Sequence, residues 1–433
     1  MLFGIQGRMK RAALYLCYYN ITEPLVQTQV VTYLRELARR GFEIHLLTFE
    51  KERLDPSEVS RIREELRSEG IEWYALRYHR WPSLPATLYD IARGAAKALR
   101  VSIRHQIPLV HGRSHVGAVM GLPVKWLRGV KLLFDVRGLL GDEQADAGRW
   151  ARNGFKYRLT KLMERVLFRK ADMLVVLTKT IKTDLVRGET SLRQRADDIE
   201  IIPCCVDARL FERDAGRRLA CRRALGWDGK RVLVYVGKLG TWYLADEMAR
   251  FFAAARLEDN AFFLQILTQS DPSPMKRALD AAGVPADAYE IGFVPPQEVP
   301  GRLEAADAGI SFIRACYSKR ASCPTKVSEY LAAGLPVVST TGIGDCDEIL
   351  VRPNLGVTIE RLDEGEYRRA ARVLIALLDD PATPGACRDF ANRDLSLDAV
   401  GGPRYAAVYG RLLEPAAAGS PLEASQSSAS RRD

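Results

Sequence analysis

Several things are scarce in this chain, and each scarcity narrows what it can be. No stretch approaches about 18 consecutive apolar residues, and the segment Met1 to Arg11 has no long apolar run ending in small residues. Neither a membrane-spanning helix nor a secretory leader is therefore expected, and the protein is read as cytoplasmic. The eight cysteines contain no C-x-x-C pair, and all five histidines fall at or before His115, a distribution that argues against a zinc site or a disulfide framework. Basic residues are not interleaved with aromatics as in a nucleic-acid groove, and no fixed-period repeat is visible. Nucleic acid is thus not an expected partner.

What remains is long and apolar enough for two cores. At 433 residues and 47% hydrophobic content, two domains are the natural expectation. Candidate strands at Ala12–Tyr18, Ile44–Phe49, Pro108–His111, Leu132–Val136 and Met173–Leu177 are continuous apolar runs, as in strands covered on both faces. Amphipathic segments lie between them; in Gln27–Arg40, for example, Val30, Val31, Leu34, Leu37 and Ala38 recur at helical spacing before Gly41. Such β-α-β units imply a parallel sheet. The alternation restarts at Arg231–Val236 and runs through Phe262–Leu267, Gly309–Ile313, Val337–Thr340 and Gly356–Ile359. The expected plan is a doubly wound N-terminal domain over 1–205, a second over 206–395, a C-terminal helix at 396–414 that crosses back to the first domain, and a tail at 415–433 too polar to order itself. Charge divides along the same lines: residues 1–200 hold 35 Lys/Arg against 23 Asp/Glu, whereas the remainder is nearly neutral. The first half is therefore expected to face something anionic, such as a membrane leaflet or a phosphorylated substrate, or simply to be a scattered solvated surface.

The most informative stretch runs from Ser322 to Thr340. Pro324 stands at a first-turn position, and Gly334 with Pro336 stops the helix, so the spacing predicts a helix over 324–333. On a helical wheel Val327, Tyr330 and Leu331 cluster, while Lys326 and Glu329 share another face, which predicts that these two project together away from the core. Free amides and Thr325 at a helix start, with a lysine in the first turn, suit a diphosphate; a carboxylate one turn on can accept from ribose hydroxyls.

This segment resembles the donor-site helix of the large retaining GT-B glycosyltransferase family often called glycosyltransferases group 1 (family 4-like), whose pattern reads P-x-K-x-x-E-Y/A-x-A-x-G-x-P-V-V. Further matches are spread over the chain. Tyr235 to Gly240 resembles the family's phosphate-binding strand and loop, Ile202 to Phe211 its hinge signature, and Glu164-Arg165 with Ala171-Asp172 and Thr178 a third motif. Glu23 to Val30 and Tyr33 to Ile44 sit where the family carries its first loop and helix. The resemblance implies a GT-B architecture of two Rossmann-like domains facing a central cleft, with a nucleotide diphosphate sugar bound mainly by the second. It assigns Lys238, Lys326 and Arg137 to catalysis, and Gly237, Gly240, Thr325 and Glu329 to donor binding, with retention of anomeric configuration. Some positions depart from the pattern: Ala321 replaces a second glutamate, Cys204-Cys205 replaces Asn-Gly at the hinge, the first loop lacks its glycines, and Arg137 stands where a histidine often contacts the donor sugar.

Asp345, in the Gly342–Asp347 loop, is expected to line the donor site. Its Asp-x-Asp spacing to Asp347 is not taken as a metal site, because the spacing follows a strand of a doubly wound domain. On the acceptor side Asp135, Glu143, His115 and Gln27 are the candidates, since ligands of open parallel sheets bind beyond strand C-termini; structural hydrogen bonding is an equal reading for each. The expectation is a metal- and cofactor-independent transferase acting on a glycan or polyprenyl-diphosphate-linked acceptor. The alternatives are a nucleotide-sugar 2-epimerase and an inactive sugar-nucleotide-binding protein.

Overall fold

The computed structural model describes residues 10–414. The expected tail at 415–433 and most of Met1–Arg11 lie outside the described residues. The first half builds a seven-stranded sheet from β1 (Ala12–Leu16), β2 (Glu43–Glu50), β3 (Ile71–Arg77), β4 (Leu109–Arg113), β5 (Lys131–Val136), β6 (Met173–Val176) and β7 (Ile199–Ile201), in the order β3-β2-β1-β4-β5-β6-β7. The second half builds a six-stranded sheet from β8 (Arg231–Val236), β9 (Phe262–Leu267), β10 (Tyr289–Gly292), β11 (Ala308–Ser311), β12 (Val337–Thr340) and β13 (Gly356–Ile359), in the order β10-β9-β8-β11-β12-β13. Every strand pairing within the two sheets is parallel. Helices between the strands cover both faces, as crossover connections require.

Side-chain alternation explains the double cover. Along β5, Leu133 enters the core on one face while Leu132, Phe134 and Val136 enter the core on the other; β1 divides the same way, with Ala13 and Tyr15 opposed to Ala12, Leu14 and Leu16. The second sheet has two corresponding cores, one holding Val232 and Val234, the other Leu233 and Tyr235.

Two segments cross between the halves. Residues 397–413 return to the first sheet, where Leu397, Val400, Tyr405, Val408, Tyr409 and Leu412 join its core. The Tyr409 hydroxyl lies 2.9 Å from Nδ1 of His111, and Tyr405 packs edge-on against Tyr33. From the other direction Ala321, in the short 3-10 turn Tyr317–Ala321, is buried in the opposite core of the first sheet. The segment Gln27–Arg40 is helical, but its first turn is wider: Gln27–Val31 is a π-helix running into the α-helix Thr32–Arg39.

Candidate active site

The helix that begins beyond Pro324 spans Thr325–Ala332. It is seated by Tyr330, whose ring lies where a Cβ at Gly309 would be, 2.1 Å from the nearest ring atom; only glycine at that point of β11 lets the helix approach so closely. The Tyr330 hydroxyl then accepts from the Val236 amide at 2.8 Å, tying the helix to the end of β8. On the hinge side, the Ser328 hydroxyl donates to the Cys204 carbonyl at 2.8 Å.

The loop after β8 folds over this helix and changes the expected geometry. Lys326 does not project into solvent. It is only 7% exposed, and its ammonium stands 4.0 Å from the ring centroid of Tyr235 and 4.3 Å from that of Tyr243. Gly237, at φ +137°, covers it: a Cβ there would lie 3.0 Å from Nζ. The wheel describes one helix in isolation and cannot see a loop laid across it. Among the described residues the Lys326 ammonium has no hydrogen-bond partner. Burial pushes its pKa down to about 7, and Glu329 only partly opposes that. Glu329, one turn on, is half-buried, and burial raises its carboxyl above the ordinary range while Lys326 pulls the other way. Thr325, partly buried, opens the same helix. Lys238 and Gly240 are exposed on the covering loop, Gly240 at φ +86°. The structure thus brings Gly237, Lys326 and Glu329 together, with Lys238 on the lip. The aromatic pair around the ammonium escaped sequence reasoning, because Tyr243 belongs to no recognisable motif.

Asp345 is used differently from the expectation. Its carboxylate accepts from the amides of Lys179 (2.7 Å) and Thr180 (3.0 Å) and from the Thr180 hydroxyl (2.9 Å), at the start of the helix Lys179–Gly188 in the first half. It caps a helix across the cleft, which satisfies end amides that have no helical partner, so its oxygens are already engaged. Asp347 accepts from the Gly342 amide at 2.9 Å. A cavity of about 290 Å³ lies here, lined by Thr180, Arg320, Gly342, Asp345 and Asp347. Other contacts close the halves on each other: Thr178 Oγ1 donates to the Arg320 carbonyl (2.8 Å), Arg320 pairs with Asp184 (2.6 Å), and the Ser318 amide donates to Asp146 (2.9 Å).

On the first half the candidates separate. Asp135 is fully buried, with Arg137 Nε at 2.8 Å, His111 Nε2 at 3.5 Å and Arg113 at 3.7 Å. Burial alone would raise its pKa, but Arg137, His111 and Arg113 hold the carboxyl well below the usual range. Arg137 also donates to the Tyr405 hydroxyl at 3.2 Å, so it is committed to a buried ion pair beneath the returning helix. His115 turns inward from the end of β4 onto Phe134 and bonds Glu164 at 2.9 Å; it is a core residue, as its 3% exposure shows. Position at a strand end does not fix which way a side chain turns, and for Asp135 and His115 the structural role is the one observed. Glu143 lies 3.6 Å from the Lys319 ammonium of the second half, and Gln27 is exposed with its amide donating to the Ile21 carbonyl at 2.6 Å.

Two family models match the chain, the glycosyl transferase 4-like domain over residues 26–205 and glycosyl transferases group 1 over residues 230–380. The chain is a GT-B glycosyltransferase. No curated protein sequence matches it significantly. Solved structures share the fold at low identity. HepE from Anabaena, in complex with UDP and glucose, is 13% identical with a TM-score of 0.67, over 92% of this glycosyltransferase and 99% of that chain. Sucrose-phosphate synthase from Thermosynechococcus elongatus is 14% identical with a TM-score of 0.69 over 93% and 98%. WaaG, a glycosyltransferase involved in lipopolysaccharide biosynthesis, is 17% identical with a TM-score of 0.63 over 92% and 98%.

Proposed function

We propose that this glycosyltransferase takes its sugar from a nucleotide diphosphate donor whose phosphates meet Lys326, Lys238 and the amides that open the helix Thr325–Ala332. The observation that carries this reading is the Lys326 ammonium, buried between two tyrosine rings, with no hydrogen-bond acceptor among the described residues and only the Glu329 carboxyl, one turn on, to oppose its burial. A buried cation left unpaired is costly, and a diphosphate would complete it. As the glycosidic bond to the leaving nucleotide breaks, negative charge grows on the phosphate. Lysines and helix amides already aimed at it stabilise that charge without reorganising, so no metal is needed. Glu329, one turn beyond Lys326, is the candidate acceptor for ribose hydroxyls. The structural likeness to HepE, solved with UDP and glucose, supports a nucleotide-sugar donor.

The acceptor, by the same proposal, is a glycan or polyprenyl-diphosphate-linked sugar in cell-surface polysaccharide synthesis, reached from the cytoplasm with retention of configuration. The likeness to WaaG, a glycosyltransferase involved in lipopolysaccharide biosynthesis, supports the cell-surface glycan part of this reading. Among the described residues no helix is long and apolar enough to cross a membrane. The basic excess of residues 1–200 would hold the protein on an anionic leaflet reversibly, each Lys or Arg contributing about 1 kcal/mol at most. The test is incubation of the purified protein with a panel of UDP-, GDP- and ADP-sugars, read by thermal shift and product analysis. Free nucleotide with transferred or released sugar is expected for one donor; an epimerised donor, or binding without turnover, would replace the transferase reading with one of its two rivals.

A further inference from the structure

A second cluster lies at the opposite edge of the first sheet. Glu43 begins β2, so it marks the N-terminal edge, whereas the cleft contacts of Thr178 and Lys179 lie just beyond the C-terminal end of β6. Glu43 and His45 are two apart on one strand and therefore share a face. His105 closes the long helix Ser83–His105 and turns towards them, its ring 4.5 Å from that of His45 between centroids. One ligand atom from each of the three residues, a carboxylate oxygen and two imidazole nitrogens, falls within 4.8 Å of the others. Nε2 of His45 is 2.9 Å from Glu43 Oε1. Behind the rings, the Tyr74 hydroxyl lies 3.3 Å from Nδ1 of His45 and 3.3 Å from Nε2 of His105. When a metal ion takes Nε2 of His45, the Tyr74 hydroxyl is placed to accept from the proton on Nδ1, the role by which outer partners fix the tautomer of metal-bound imidazoles.

We propose that Glu43, His45 and His105 form a binding site for a borderline divalent cation, Zn²⁺ above all, that clips β2 to the end of the helix Ser83–His105. Two imidazoles and one carboxylate are a donor set for Zn²⁺, Co²⁺ or Ni²⁺ and a poor one for Mg²⁺ or Ca²⁺, which take oxygen ligands. Three protein ligands leave a fourth position to water. A cation already stands at this point: the Lys10 ammonium lies 3.0 Å from Glu43 and 2.8 Å from the His105 carbonyl. It is the competitor a metal ion would displace. Its side chain is 42% exposed and can swing into water, so displacement is cheap. Lys97, over the Tyr74 ring at 4.8 Å, adds positive charge that keeps affinity modest. The sequence pointed the other way, its cysteine and histidine distribution arguing against a zinc site, because the three ligands are dispersed and none lies in a metal-binding motif.

The test uses the full-length protein with Co²⁺ as a spectroscopic probe and Zn²⁺ as competitor. Saturable one-to-one Co²⁺ binding with visible d–d absorption is expected, reversed by Zn²⁺. His105→Ala and Glu43→Gln should each weaken binding at least tenfold, with metal-free unfolding midpoints unchanged; these two serve because His45 is buried and its removal could unfold the chain. Lys10→Ala should tighten binding severalfold, which a merely structural hydrogen-bond cluster would not do. Absence of a saturable spectrum, a charge-transfer band marking thiolate ligation, unchanged affinity in His105→Ala and Glu43→Gln, or no gain in Lys10→Ala would each overturn the assignment. Because the site is remote from the cleft, none of these outcomes depends on the donor reading.

Discussion

Replacing Lys326 with methionine should make the protein more stable and destroy its activity. The lysine is pushed from 10.5 down to about 7 by burial. At 1.36 kcal/mol per unit, that shift corresponds to at most about 5 kcal/mol of folding free energy spent on keeping the ammonium charged at neutral pH. The folded-state value lies below the unfolded one, so between pH 7 and 10.5 the unfolded chain holds more protons and stability rises with pH; below pH 7 the full cost is present. Methionine fills a similar volume between the Tyr235 and Tyr243 rings without the charge. The variant should therefore unfold at a higher temperature than the wild type at pH 6, and the gap should shrink towards pH 10. Taking about 2 kcal/mol as realised, the gain at pH 6 is about 4–8 °C. Donor turnover should fall at least about 100-fold, as for loss of a preorganised charge on a developing anion. A further signature is proton uptake: at pH 8 a group titrating near 7 is about nine-tenths neutral, so binding a diphosphate that charges it takes up nearly one proton. Calorimetry with the nucleoside diphosphate of the active donor, in buffers of different ionisation enthalpy, reads this directly. A destabilised Lys326→Met protein, or donor binding with no proton uptake at pH 8, would refute the account of a stored, unpaired charge.

Glu329→Ala should lower kcat/KM for the donor by about 10²-fold, since losing a charged acceptor from a polar site costs a few kcal/mol; a folded variant with unchanged kcat/KM would remove it from the site. Arg137→Ala should cost about 3–5 kcal/mol of stability, because buried Asp135 would lose its nearest partner and keep only His111 and Arg113 at 3.5 and 3.7 Å; chemical denaturation checks this, and a fully stable variant with impaired sugar transfer would favour the catalytic role expected for Arg137 over the structural one. Asp345→Ala removes the acceptor for the Lys179 and Thr180 amides while leaving the Thr178 N-cap of the helix Lys179–Gly188, and should cost about 1 kcal/mol while loosening the cleft, seen as faster amide exchange over residues 179–188. Unchanged exchange there would mean the clasp does not hold the halves together.

Much of the frame was legible because parallel strands covered on both faces are written as short unbroken apolar runs. Arg231–Val236, Phe262–Leu267, Val337–Thr340 and Gly356–Ile359 appear with the residues expected. The strands missing from the candidate runs, β3, β7 and β10, are all edge strands, although the edge strand β13 was read. An edge strand is paired on one side only, and the alternation of buried and half-exposed positions in Ile71–Arg77 shows how little apolar signal it needs. The donor helix was legible from its Pro and Gly punctuation, but the burial of Lys326 was not, because it depends on a loop about 90 residues earlier. The same holds for Asp135 and His115: a strand end predicts nearness to a cleft, and only the partners Arg137 and Glu164 reveal that the side chains are already spoken for.

The return of residues 397–413 to the first sheet bears on how the polypeptide is born. Translation yields about 5–20 residues per second, so roughly 10–40 s separate the synthesis of Cys205 from that of Leu413. Throughout that interval the sheet face awaiting Tyr405, Tyr409 and Leu412 stays uncovered, with His111 lacking its tyrosine hydroxyl. The half made first on the ribosome is thus completed last, after the second sheet has had time to close. A nascent chain of this protein should be bound by chaperones through its leading domain, and a premature stop near residue 400 should cripple the domain encoded farthest from it.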